Sequence, residues 1–227
     1  MPNRFRVSVA PLLLTAVLLA AGCAASRCPE RQLVNVMEAK QAVMAYHQDG
    51  RYEADVACVA DELRGYVAQR LAHNPPAKPA VVFDIDQTLL NFYDLEVAMQ
   101  FGYSPDMWDA NLKRADLPAI APTVRLYREL RDQGVALFLI TGRDETMRPY
   151  TEANLRAVGV EGWVNLYLNP TDAPKGQTRQ QYKTALRQDI EARGYTILAS
   201  IGDQWSDIQG GFLERGFKLP NYMWTKP

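Results

Sequence analysis

The stretch Val81 to Asn91 reads VVFDIDQTLLN, an apolar run of strand-forming residues that drives into two aspartates, Asp84 and Asp86, and then Thr88. Carboxylates two residues apart repel each other and raise each other's pKa unless something cationic sits between them. A divalent metal is the obvious candidate, so we read the stretch as the end of an active-site strand. Two other apolar runs finish in the same manner. VALFLI (135–140) leads into Thr141-Gly142-Arg143-Asp144, and TILASI (196–201) leads into Gly202-Asp203, with Asp207 shortly after.

These groups can meet only if the runs are neighbouring strands. From Pro79 onward strand-like and helix-like text alternates. Strands are expected over Val81–Ile85, Val135–Ile140, Trp163–Leu168 and Thr196–Ile201, with a short last one near Gly216–Leu219. Helices are expected over 122–133, 148–158 and 177–193, with Pro122 suiting a first turn and Gly134 a stop. Short, largely apolar strands separated by helices imply an α/β fold with a mostly parallel sheet covered on both faces. Such sheets bind ligands beyond the carboxyl ends of their strands, and three strands here deliver polar groups to that one edge. Upstream, two amphipathic helices are expected. One spans 29–47 with Leu33, Val36, Met37, Val43, Met44 and Tyr46, the other 52–73 with Val56, Val59, Leu63, Tyr66, Val67 and Leu71. They would pack on the main domain, with His47 and His73 solvated or capping near their ends.

Composition narrows the chemistry. A chain of 227 residues, 48% of them hydrophobic, suits one α/β domain with a small extension and a real core. Its 25 Lys and Arg nearly cancel 26 Asp and Glu, so no global field recruits a nucleic-acid polymer and any anionic substrate must be held by local charges. The 2 histidines both precede the aspartate pair, which argues against a histidine nucleophile or a multi-histidine zinc site. Acid, base and nucleophile work falls to carboxylates. Cys58 and Arg64 make a bare C-x5-R match, but it lies in a helix-like run with no glycine to cradle a phosphate, and we give it no role.

Residues 1–22 have a basic start (Arg4, Arg6) and an apolar stretch from Val7 to Ala21. As a helix that stretch spans about 21 to 23 Å, short of the roughly 30 Å hydrocarbon core, so it reads as an export signal. Leu19-Ala20-Ala21-Gly22-Cys23 resembles a bacterial lipobox, departing from it at Ala20, where Leu is commonest. The resemblance implies cleavage before Cys23 and its acylation, with several acyl chains anchoring the protein stably to a membrane. Cleavage nearby by ordinary signal peptidase is the alternative. Ala24 in place of Asp resembles an outer-membrane sorting pattern, implying a Gram-negative outer membrane and a protein facing the periplasm or surface. Cys28 and Cys58 are then left as a pair in an oxidising compartment. A bridge closing a loop of about 30 residues would contribute roughly 3 to 4 kcal/mol; two unpaired thiols are the alternative.

The motifs carry a family resemblance. DIDQT (84–88) matches D-x-D-x-T, and Thr141 in LITGRD, Lys183 in QYKTALR and Asp203 with Asp207 in GDQWSD follow in order. On these motifs the chain resembles the phosphatase branch of the haloacid dehalogenase (HAD) superfamily. GDQWSD, with the preceding YK and GYTIL, is similar to bacterial class C acid phosphatases and to plant acid phosphatases and storage proteins, subfamily IIIB. The resemblance implies a Rossmannoid three-layer sandwich forming one domain over 23–227, with a helical extension over 23–78 and a small cap insert over 91–120. It also implies that Asp84 attacks phosphorus to give an aspartyl-phosphate, and that Asp86 protonates the leaving alcohol and then deprotonates the hydrolytic water. Lys183, with Lys175 as a nearby competitor, supplies positive charge, and the Thr141 hydroxyl donates to a phosphoryl oxygen. Mg²⁺ would be held by the Asp84 carboxylate, the Asp86 carbonyl and Asp203. Asp207 is either a further ligand or orients that shell. Gly142 and Arg143 fall beside the substrate, Arg143 and Thr88 chiefly as supports of loop geometry, and Gln87 stands where relatives often have Glu.

Between the first two motifs lies an aromatic-rich segment with Phe92, Tyr93, Phe101, Tyr103 and Trp108. Such rings stack on a substrate ring or pack the cap on the core; Phe92, Tyr93 and Trp108 are the candidates for substrate contact. A cap this short leaves the site open to varied small organic phosphate esters. The resemblance therefore implies a Mg²⁺-dependent acid phosphatase acting on phosphate monoesters, with nucleoside monophosphates foremost. Phosphotransfer through the same intermediate is one alternative, and a non-catalytic surface lipoprotein or storage protein is another. Dehalogenation has no use for Asp86. The oligomeric state stays open.

Overall fold

Valines and an aromatic residue suit a buried pleated strand, and Val81, Val82 and Phe83 close the central strand β1 (Pro79–Phe83). Around it lie β2 (Ala136–Asp144), β3 (Asn165–Asn169), β4 (Thr196–Gly202) and β5 (Arg215–Lys218), all parallel, in the order β3-β2-β1-β4-β5. The computed structural model describes residues 33–174 and 176–225. The leader, Cys23, Cys28 and Lys175 lie outside them, and the pairing of Cys28 with Cys58 does too. Cys58 itself is exposed on helix α2 (Arg51–His73), and no helix of the described residues is long and apolar enough to cross a membrane.

Period-two alternation divides the sheet's side chains between two clusters. Val81, Phe83, Leu137 and Leu139 pack with Val56, Leu63 and Val67 of α2, with Leu126, Tyr127 and Leu130 of α5 (Ala121–Asp132), and with Leu155 of α6 (Arg148–Ala157). Ala80, Val82, Phe138, Ile140 and Ile197 face the other way onto Tyr182 and Ile190 of α7 (Arg179–Ala192). Helices on both faces of a parallel sheet make the three-layer α/β arrangement. Register aligns the end of β1 with its neighbours: Phe83 pairs with Leu139 on one side and Ile201 on the other. Asp84, Thr141 and Asp203 consequently emerge at one edge, and the Asp84 N–H donates to the Ile201 carbonyl at 3.0 Å.

Some expected bounds shift for local reasons. Helix α1 runs over Val36–Gln48 instead of starting near Pro29, because the Asn35 side chain caps it by accepting from the N–H groups of Met37 and Glu38. Val36 and Met37 are exposed, so the apolar face of α1 is covered only toward Tyr46. Strand β3 begins at Asn165, past Trp163, which packs on the core instead. His47 is neither solvated nor a cap. Its ring stacks between Tyr52 at 4.1 Å and Tyr93 at 4.3 Å, and burial lowers its pKa to about 4. His73 stands exposed near the end of α2, its Nδ1 at 2.9 Å from the Gln69 carbonyl. The segment between β1 and α5 carries two short helices, α3 (Tyr93–Ala98) and α4 (Pro105–Arg114).

Candidate active site

Past Phe83 the chain turns sharply. The N–H groups of Leu89 and Leu90 both donate to the Ile85 carbonyl, at 2.8 and 3.0 Å, and Gln87 takes a φ of 53°. This tight loop places the Asp84 carboxylate at the sheet edge, 6% exposed. One of its oxygens accepts from Lys183 Nζ at 2.6 Å and the other from the Thr88 hydroxyl at 3.2 Å. Lys183 reaches it from α7 and also donates to Asp207 Oδ1. Burial, which opposes any charge here, and then the carboxylates of Asp207 and Asp203 push Asp84 well above the usual carboxylate range, while Lys183 opposes the rise. Burial likewise works against the Lys183 ammonium, but Asp207 and Asp84 more than offset it and hold the group protonated.

Asp86 is held differently. Its Oδ1 accepts from Arg143 Nε at 2.9 Å and Nη2 at 2.7 Å, a two-pronged clamp. Arg143 is buried, donates from Nη1 to the Thr151 hydroxyl at 2.9 Å and lies over the Phe92 ring. It thus orients the second aspartate as well as its own loop. Thr141 is fully buried, and its hydroxyl accepts from the Arg143 N–H at 3.1 Å. The cleft wall there consists of Gly142 and Arg143. Gln87 is buried too, its amide toward Met223 and not toward the cleft.

The edge of β4 completes the site. Asp203 Oδ2 accepts from Asn221 Nδ2 at 2.6 Å and from Gln204 Nε2 at 2.5 Å, while its Oδ1 is buried without a hydrogen-bond partner. Asp207 spends Oδ2 on the Gln204 N–H at 2.8 Å, closing a capping box on the short helix α8 (Trp205–Ile208). A Cβ at Gly202 would collide with that carboxylate, which is why glycine ends this strand. Arg187, one turn beyond Lys183 on α7, is fully buried and donates to the carbonyls of Asp207, Gln209 and Gly211, fixing the loop from behind. Oxygens of Asp84, Asp203 and Asp207 lie within 4.8 Å of one another. A dense set of carboxylate oxygens, one of them buried and unpaired, fits a hard divalent cation.

The aromatic candidates separate. Trp108 lines the cleft, whereas Phe92 is wholly buried behind it, stacked on Trp108 at 4.6 Å, and so packs instead of touching substrate. Tyr93 is occupied by His47 and lines a different pocket with His47 and Tyr52. The structure adds Arg179, Gln204, Ser206 and Trp224 to the walls of the cleft, and Asn221 and Arg187 behind them. Gln204, Ser206 and Arg187 lie within the stretches GDQWSD and QYKTALR without a role assigned to them from sequence, and Arg179, Asn221 and Trp224 lie outside every motif.

One pH effect follows from the crowding. Burial, then Asp207, raise Asp203 to about 7, against about 3.9 in an unfolded chain. A raised folded pKa means stability that is complete below the unfolded value and lost as pH rises through the folded one. Metal-stripped protein should therefore melt at a lower temperature at pH 8 than at pH 5. Asp203→Asn should flatten that slope and added Mg²⁺ should offset it; equal melting of the stripped wild type at both pH values would contradict the account.

A model of the HAD superfamily, subfamily IIIB (acid phosphatase), matches residues 14–227. The chain is 34% identical over 182 residues to Acid phosphatase 1 of Solanum lycopersicum, covering 76% of this chain and 69% of that protein. It is 31% identical over 191 residues to the Stem 28 kDa glycoprotein of Glycine max, covering 81% and 73%. Vegetative storage protein 1 of Arabidopsis thaliana is also 31% identical, over 183 residues, covering 78% and 66%. The class C acid phosphatase from Bacillus anthracis superposes with a TM-score of 0.69 over 84% of this chain and 86% of that one, at 21% identity, a likeness of fold. With the aspartates, the lysine and the strand edge in place, the chain belongs to the HAD superfamily, subfamily IIIB, the acid phosphatases.

Proposed function

We propose that the protein is a metal-dependent phosphomonoesterase working through a phosphoryl group carried on Asp84. The carrying observation is the asymmetry of the two aspartates. Asp84 is fixed by an ammonium and a hydroxyl at the strand end, and Asp86 is held apart from it by a guanidinium. The hydrogen bonds to Lys183 and Thr88 aim an Asp84 oxygen, so attack on phosphorus needs little reorganisation. Asp86, clamped on one oxygen by Arg143, keeps the other for proton exchange with the leaving alcohol and then with water. Lys183 offsets charge that builds on the phosphoryl oxygens. Asp84, Asp203 and the Asp86 carbonyl would hold Mg²⁺, which supplies Lewis-acid cancellation of phosphoryl charge. Asp207 accepts from Lys183 and from the Gln204 N–H, and its role is to orient the lysine.

For the leaving group, a cavity of about 300 Å³ adjoins the cleft and shares its walls Trp108 and Trp224, with Phe101 and Tyr103 beyond. Aromatic walls of this kind suit a flat ring, so nucleoside monophosphates remain the favoured substrates. Mg²⁺-dependent phosphate release from an aryl phosphate should vanish in Asp84→Asn. Trp108→Ala should raise KM for a nucleoside monophosphate about tenfold, the loss expected for one stacked ring, and should change KM for glycerol phosphate little. Tyr93→Ala should leave both constants alone. An active Asp84→Asn variant, or an inert wild type with metal present, would contradict the enzyme reading.

The lipobox-like run ending at Cys23 supports export with a lipid anchor. Growth on a radiolabelled fatty acid should mark the wild type and not Cys23→Ser. An unlabelled wild type would count against the anchor.

A further inference from the structure

Among the described residues the cleft holds one cation to which the mechanism above assigns no task. Arg179, the first residue of α7, is half-buried and lines the cleft with Asp84, Asp86 and Lys183. Its guanidinium rests against Gly142: a Cβ built on that glycine would stand 3.1 Å from Arg179 Cζ and Nη1. The other cations of the cleft are paired, Lys183 with Asp84 and Asp207 and Arg143 with Asp86. Among the described residues the Arg179 side chain has neither an ion pair nor a hydrogen bond. A guanidinium drawn partly out of water without an acceptor has lost hydration and gained nothing for it, and its planar fork matches an arriving oxyanion. Its location says which oxyanion. Arg179 is absent from the aromatic cavity that would take the leaving group, and it lies across the residue that follows Thr141.

We propose that Arg179 binds non-bridging oxygens of the substrate's phosphoryl group, and of inorganic phosphate after turnover, with the bare backbone of Gly142 as its seat. The assignment rests on the phosphomonoesterase reading. It supplies a cation where an anionic ester must approach Asp84, Asp86 and Asp203. Gly142 has no positive φ, so an alanine there meets no backbone strain and disturbs chiefly the guanidinium.

The test uses the full chain with Mg²⁺ and inorganic phosphate as the probe, read as a competitive inhibition constant and by calorimetric titration. Arg179→Gln should raise both the phosphate constant and KM by about tenfold or more, the loss expected for a charge-assisted hydrogen bond. The rise should be equal for aryl and nucleoside substrates, because the leaving group is untouched. Arg179→Lys should recover part of the loss. Gly142→Ala should shift the constants in the same direction and add little in the Arg179→Gln background. A wild type that turns over and an Arg179→Gln variant with unchanged phosphate affinity would overturn the assignment while leaving the phosphatase reading intact. A rise confined to nucleoside substrates would also overturn it. If the wild type does not turn over, that reading fails, and the two calorimetric titrations still decide: weaker phosphate binding by Arg179→Gln supports the assignment, equal heats overturn it.

Discussion

The ammonium of Lys183, set between the buried carboxylates of Asp84 and Asp207, is the interaction on which the rest of the site depends. Without it three aspartates would face one another out of water, and burial alone already pushes Asp84 and Asp203 toward their neutral forms. Lys183 opposes that rise at Asp84, while Asp203 Oδ1 is left buried and unpaired. Removing one partner from such a buried network leaves an uncompensated charge, so its members stand or fall together. Helix α7 ties them mechanically as well. Lys183 reaches into the cleft from one turn, while Arg187, on the next, grips the carbonyls that follow Asp207.

The sheet sets the distances. Parallel register puts Phe83 of β1 level with Leu139 of β2 and Ile201 of β4, so the side chains that follow them, far apart in sequence, arrive at one edge. Two glycines then permit close approach. Gly202 leaves room for the Asp207 carboxylate, and Gly142 for the Arg179 guanidinium. Cations from α7 line the cleft, and rings from the segment before α5 and from the C-terminal stretch line the cavity that adjoins it.

Strands buried on both faces read as unbroken apolar runs, and for that reason VVF, VALFLI and TILASI and the polar groups after them were legible in the sequence. The elements differed mainly at their ends, as where Asn35 caps α1 and Trp163 leaves β3 to join the core. Partners across the fold were not legible. That Phe92 lies behind Trp108, or that Tyr93 meets His47, depends on how a short insert sits on the helices, which spacing along the chain does not encode. Arg179 occupies an ordinary first-turn position, and Asn221 and Trp224 lie in the C-terminal stretch away from any motif, so their places in the site exist only in three dimensions. The place of Arg143 after Gly142 points in sequence chiefly to loop support, yet its side chain holds the Asp86 carboxylate directly.

The central claim is that Asp84, aimed by Lys183, carries the phosphoryl group. Acid-quenching the Mg²⁺-loaded enzyme during turnover of an aryl phosphate, followed by mass spectrometry of its peptides, tests this most directly. The account predicts phosphoryl mass on the peptide containing Asp84, sensitive to hydroxylamine as an acyl phosphate is. Steady turnover with the label on another residue, or with no labelled peptide under quench conditions that preserve acyl phosphates, would contradict it.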